Sequence, residues 1–155
     1  MNVVESYWGN RALLDGVKTA FLCSRQVSSI AVLRCYDWAT EQWGRGGCVV
    51  SGFHSMMEKD VLSFLLRGHV PVVLVLGRRM YKQLPDDLAT AMEEGRLLII
   101  STSNAPRQSA STALVRNQYI LDLADIIVLG SLNPSGSLAT LLAPVRQQGK
   151  PIVVL

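Results

Sequence analysis

The stretch from Arg116 to Leu155, RNQYILDLADIIVLGSLNPSGSLATLLAPVRQQGKPIVVL, constrains the fold more than any other part of the chain. The apolar run bounded by Asp125 and Gly130 reads as a buried strand, and Pro151-Ile-Val-Val-Leu155 reads as another. Between them a small-residue loop, Asn133-Pro-Ser-Gly-Ser137, opens a helix. Two strands joined by a helical crossover form a βαβ unit with a parallel pair. In such units the loop from the first strand into the helix is where ligands bind. Pro144 falls inside the helix and is predicted to kink it, because proline lacks the N–H that the preceding turn needs.

The chain before Arg116 repeats this alternation. Strands are predicted at Val17–Cys23, Cys48–Ser51, Pro71–Leu76 and Leu97–Ser101. Helices are predicted from about Ile30 to Trp43, from Met56 to Arg67 and from Pro85 to Glu94, followed by the one that carries Arg116. Ile30, Leu33, Trp38 and Trp43 supply the helical spacing of the first helix, and Gly44, Gly68 and Gly95 stop the first three. Pro71–Leu76 is apolar throughout, as a strand covered by helices on both faces requires. Residues 1–16 show no strong period and read as an irregular lead-in covering one sheet edge. The expectation is one α/β domain over residues 1–155: a Rossmann-like, open, mostly parallel sheet of six strands with helices on both faces.

Composition removes several classes. With 49% apolar and 17% charged residues, the 155-residue chain can bury a core and is not disordered. No apolar run is long enough to span a bilayer, and the N-terminus lacks the pattern of a secretory signal. Cys23, Cys35 and Cys48 have neither CxxC nor Cys/His spacing, so they read as buried, reduced thiols of a cytoplasmic protein. His54 and His69 stand alone, and no metal site or cofactor is expected.

The net charge of +3 says less than its distribution. Arg45, Arg67, Arg96, Arg146 and Lys150 lie in helix-to-strand loops, where a base offsets the partial negative charge of a helix C-terminus. Arg25, Arg78, Arg79, Lys82 and Arg107 lie in strand-to-helix loops, with Arg116 just beyond, and those loops contain no acid before Asp86. Bases near helix N-termini oppose the helix dipole. A positive rim at the carboxyl ends of parallel strands therefore points to an anionic ligand.

Several motifs fall on that rim. Ser24-Arg25-Gln26 could cradle a phosphate, or simply cap a helix beside a surface arginine. Ser51-Gly52 permits close approach of a ligand to the backbone, or makes an ordinary turn. His54 could act as a base, although a lone loop histidine is more often only solvated. Arg116-Asn117 faces the same rim, and Ser135 is the predicted N-cap of the last helix, with Gly136 and Ser137 beside it. Neither a Walker A loop nor a full GxGxxG is present, and no catalytic set can be named.

Taken in order, GNRALLDGVKTAFLCSRQ, VVSG, LRGHVPVVLVLG, VRNQYILDLADIIVLG, SGSLAT and GKPIVV resemble the DprA/Smf family, DNA-processing protein A, over residues 9–155. The resemblance implies an extended Rossmann fold that binds single-stranded DNA, forms a homodimer and loads the recombinase RecA during natural transformation. More distant relatives of that fold bind nucleotides. By position, the implied phosphate contacts are Ser24, Arg25, Ser51, Gly52, Arg116, Asn117, Ser135, Gly136 and Ser137, and Gln26 joins them from its place on the rim. The chain departs from the family at Cys23, which replaces a glycine, at Phe53-His-Ser-Met56, and at Gln118, which replaces a second arginine. It also stops at Leu155, without the flanking domains of many members. Fewer cations imply weaker DNA binding.

The leading expectation is a protein that binds single-stranded DNA, or another phosphate-rich ligand, without chemistry. One alternative is a binder or hydrolase of a small nucleotide, with Ser51, His54 and Ser137 as its polar wall. Another is an interaction role in which the apolar last strand pairs at its edge with a second copy.

Overall fold

The structure is a computed structural model and describes residues 6–155; the first five residues of the predicted lead-in lie outside them. Seven strands form one sheet in the order β1-β5-β4-β3-β2-β6-β7. In chain order these are β1 (Ser6–Gly9), β2 (Lys18–Leu22), β3 (Cys48–Ser51), β4 (Val72–Leu76), β5 (Leu97–Ser101), β6 (Ile126–Leu129) and β7 (Ile152–Val154). The helices are α1 (Ser29–Glu41), α2 (Met56–Arg67), α3 (Asp86–Glu93), α4 (Ala110–Leu123) and α5 (Ser137–Gln147). All strand pairs are parallel except β1 with β5, where Ser6–Gly9 runs antiparallel to Leu98–Ser101. The lead-in thus covers the sheet edge as expected, but as a seventh strand rather than as irregular chain.

The pleat sorts the strand residues between two cores. Val72, Leu74 and Leu76 of β4 pack with Trp38 of α1, Val61 and Leu65 of α2 and Leu88 of α3. Val73 and Val75 point the other way, to Ile120 and Leu121 of α4 and Leu142 and Val145 of α5. Both faces are therefore dry, which is why β4 can be apolar at every position. Each fully buried Leu or Ile adds about 1.5–3 kcal/mol relative to an exposed one. Phe21 stacks on Trp38 at 5.1 Å between ring centroids, fixing α1 on the sheet.

The phase of α1 differs from expectation. Ile30, Leu33 and Trp43 are exposed, whereas Cys35, Trp38 and Ala39 are buried. The helical period was legible, but the inward face carries Cys35 and Ala39 beside Trp38 rather than Ile30, Leu33 and Trp43. Pro144 removes the N–H that Thr140 O would receive, yet α5 runs without a break from Ser137 to Gln147. Lys150 donates to Leu121 O (2.8 Å) and Asp122 O (2.9 Å), so it satisfies the C-terminus of α4, as a base in that loop should.

Strand order sets the site. The chain steps outward from β2 through β3 and β4 to β5, then crosses back to place β6 on the other side of β2. The switch point lies between β2 and β6, and all the strand-to-helix loops emerge at one end of the sheet.

Candidate anion-binding site

The structure divides the predicted site residues into two neighbouring groups. At the switch point the loops after β2 and β6 are tied together. Ser24 N donates to Ser131 O (2.9 Å), Asn133 N to Ser24 Oγ (2.9 Å), and Ser131 Oγ to Gln26 O (3.2 Å). Ser135 turns back on its own loop, donating through N and Oγ to Asn133 Oδ1 at 3.2 and 3.0 Å. It is not the N-cap of α5. Gly136 holds that position and, having no side chain, leaves the helix without a side-chain cap, while the Ser135 hydroxyl is engaged with Asn133. Arg25, Gln26, Ser135 and Ser137 are exposed around this crevice.

The second group lines a cavity of about 530 Å³ over the ends of β3, β4 and β5. Leu62, Leu74, Leu76 and Leu88 give it an apolar floor, with Phe53 and Tyr81 beside them. Lys59, Arg78, Arg107 and Arg116 make its cationic wall, with His54 beside them. Of the other predicted rim bases, Arg79 and Lys82 are exposed but lie outside this lining. Arg78 stacks over the Tyr81 ring at 4.6 Å and donates to Arg79 O (3.1 Å), so its guanidinium is held against an aromatic face.

Arg116 is buried on α4, only 6% exposed. Its Nε and Nη2 both donate to Asn117 Oδ1, at 3.1 and 3.0 Å, and Nη1 donates to Gln108 Oε1. These acceptors are neutral amides, so they fix the guanidinium without neutralising it. Burial lowers the Arg116 pKa, while the nearby Glu58 charge opposes that shift. The Arg-Asn pair is therefore one unit, in which Asn117 Oδ1 holds the Arg116 guanidinium. Gln118 donates to Asp122 Oδ1 (3.0 Å) one turn along the helix.

The turn after β3 is built around Phe53, a buried residue with φ of 44°. A bulky side chain in this left-handed region costs on the order of 1–3 kcal/mol and marks a backbone held for a purpose. Ser51 is fully buried, and its Oγ accepts the Phe53 N–H (3.1 Å), so it shapes the turn rather than the cavity wall. Gly52 lines the cavity.

One acid corrects the expectation of an acid-free rim. Glu58, in the first turn of α2, is 5% exposed. Its Oε1 accepts His54 N (3.0 Å) and Ser55 N (3.3 Å), while Oε2 accepts Cys23 N (3.1 Å) across the sheet. With Ser55 it forms a capping box. The spacing Ser55-x-x-Glu58 is the ordinary sequence signature of that box, so the signal was present. Lys59 was equally findable as a base at a helix N-terminus. His54 is exposed overall, yet partial burial, then Arg116 and Lys59, hold its pKa below the ordinary imidazole value. Among the described residues no group of three or more His, Cys, Asp or Glu could hold a metal ion, and no helix is long and apolar enough to cross a membrane.

A family model of DNA recombination-mediator protein A matches residues 3–155. The chain belongs to that family. In keeping with this membership, DNA processing protein A from Helicobacter pylori, described for its single-stranded DNA binding mode, superposes with a TM-score of 0.73 at 19% identity. The match covers 96% of this chain and 69% of that one. DprA from Streptococcus pneumoniae gives 0.76 at 16% identity, over 96% of this chain and 53% of its own. A molybdenum cofactor binding protein from Rippkaea orientalis gives 0.64 at 9% identity, over 90% and 76%. At these identities the likeness is one of fold. Among curated proteins none matches the sequence. Membership of the DNA recombination-mediator protein A family assigns the chain to DNA processing, and the Rossmann-like sheet is the one its structural neighbours share.

Proposed function

We propose that this protein binds single-stranded DNA at the carboxyl ends of its strands, without chemistry, and serves DNA recombination or uptake. The observation that supports this best is Arg116. It is a buried guanidinium held by amides alone, on the wall of a cavity with an apolar floor. A charge desolvated in this way favours an incoming phosphate more than a solvated one does. The half-buried Tyr81 ring beside the apolar floor offers a surface to an unpaired base, as strand-binding proteins use. The exposed Arg25, Arg79 and Lys82 extend the positive rim past the cavity, which favours a strand over a single nucleotide. Arg25, Gly52 and Arg116, with Arg78 and Arg107, are the proposed phosphate contacts; Ser24, Ser51, Asn117 and Ser135 hold the loops and side chains that present them.

The test is fluorescence anisotropy of a labelled single-stranded oligonucleotide at rising salt. Binding that weakens steeply with salt supports the proposal, and absence of binding at low salt removes it. A homodimer and a recombinase partner belong to the same proposal, and sedimentation at several concentrations tests the first. A cytoplasmic location belongs to the same proposal, and the free, buried thiols Cys23, Cys35 and Cys48 support it.

A small nucleotide is the second reading. The cavity volume of about 530 Å³ lies within the usual range for small-molecule sites. A ligand at 100 times its dissociation constant stabilises the fold by about 2.7 kcal/mol, so thermal melts with mono- and dinucleotides decide this reading.

A further inference from the structure

Backbone N–H groups from two loops converge at the carboxyl ends of β2 and β3. Those of His54 and Ser55 come from the turn after β3, and that of Cys23 comes from the end of β2. This is the donor arrangement with which open α/β folds hold phosphate. Here a side chain of the protein already fills it. The Glu58 carboxylate accepts all three N–H groups and is almost fully buried while doing so. The side chains that a phosphate would use also sense it, since the Glu58 charge opposes the lowering that burial imposes on the Arg116 and His54 pKa values.

We propose that Glu58 is a built-in anion in the main-chain cradle, making it a specificity-determining residue: the site accepts phosphodiesters lying across its cationic wall and rejects compact dianions that would enter the loops. The proposal rests on the anion-site reading given above and refines it. A dianion entering beside Glu58 meets a like charge in a poorly screened place and finds no free N–H donor. A phosphodiester on the wall carries a single negative charge and is served by Arg116, Arg78 and Arg107 without displacing the carboxylate. Substitution of Glu58 therefore costs stability, because it orphans three N–H donors, that of Cys23 buried and those of His54 and Ser55 part-buried, but it opens a phosphate subsite. A purely structural capping role predicts only the loss.

The experiment compares the unsubstituted protein with Glu58→Ala, Glu58→Gln and Glu58→Ala/Arg116→Gln, each titrated with inorganic phosphate and followed by thermal melting and calorimetry. Glu58→Ala should melt lower, recover with phosphate, and bind phosphate about tenfold more tightly than the unsubstituted protein, the factor that 1.4 kcal/mol represents. The double variant should lose that gain. Phosphate affinity that is unchanged or lower in Glu58→Ala overturns the proposal. If Glu58→Ala does not fold, Glu58→Gln is read in its place, with a smaller gain supporting and no gain overturning. Failure of the broader reading is separate: it shows as no binding of the oligonucleotide by the unsubstituted protein.

Discussion

Gly52 lies directly against the side chain of Arg116: a Cβ at Gly52 would stand 2.8 Å from Nε and 2.9 Å from Cζ of the guanidinium. The backbone of Gly52 is not in the left-handed region, so the need for glycine here is one of space alone. Arg116 cannot yield freely, because Asn117 and Gln108 hold both ends of its fork. Gly52→Ala should thus destabilise the protein by about 1–3 kcal/mol in urea unfolding, the usual cost of overpacking. Oligonucleotide affinity should fall with it. A stable, fully binding variant would show that the guanidinium position does not matter.

Arg116→Gln separates charge from packing. Hydrogen bonds to charged groups contribute about 1.5–3 kcal/mol, so strand affinity should drop roughly tenfold or more. The slope of log affinity against log salt should shrink by about 0.7, one phosphate contact on a single strand. Unfolding free energy should change by less than about 1 kcal/mol, since relief of the buried charge offsets the lost amide contacts. Salt titrations by anisotropy and urea melts measure all three.

The fold was readable because strands β2 to β6 announce themselves by apolar runs between glycines and helical periods. β1 did not, because Ser6-Tyr-Trp-Gly9 is only partly buried and becomes a strand through pairing with β5. Periodicity located α1 but not its inward face, which depends on Cys35 and Ala39 fitting against the sheet. The positive rim followed from loop charges. Its division into a crevice and a cavity follows from strand order, which the chain does not spell out. Glu58 is not visible in the loop charges, because it reaches the loops from the first turn of α2.

Ser24→Ala tests the crevice. It removes the acceptor for Asn133 N–H but leaves the Ser24 N–H to Ser131 O bond in place. The expected loss of stability is about 0.5–1.5 kcal/mol, the net worth of one hydrogen bond. Strand affinity should weaken a few-fold through looser loops, with the salt slope unchanged because no cation is lost. A reduced slope in anisotropy titrations would instead mean that Ser24 positions a charged contact.

His54 gives the site a pH dependence whose sign is fixed. Its pKa in the folded protein lies below the ordinary value of 6.5, through partial burial and then the charges of Arg116 and Lys59. In the absence of ligand the unfolded chain therefore takes up its proton first as pH falls. Stability should decline as pH drops through about 6.5 towards the lower folded value, and should be unaffected by this group above that range. A phosphate on the cationic wall reverses the preference, because it stabilises the imidazolium. Proton uptake then accompanies binding, and affinity should rise as pH falls from neutrality until the ligand-free histidine itself charges. His54→Gln should flatten both profiles while leaving neutral-pH affinity within a few-fold. Anisotropy titrations and thermal melts across this range make the comparison. An affinity profile with the same slope in both proteins would place the phosphate away from His54.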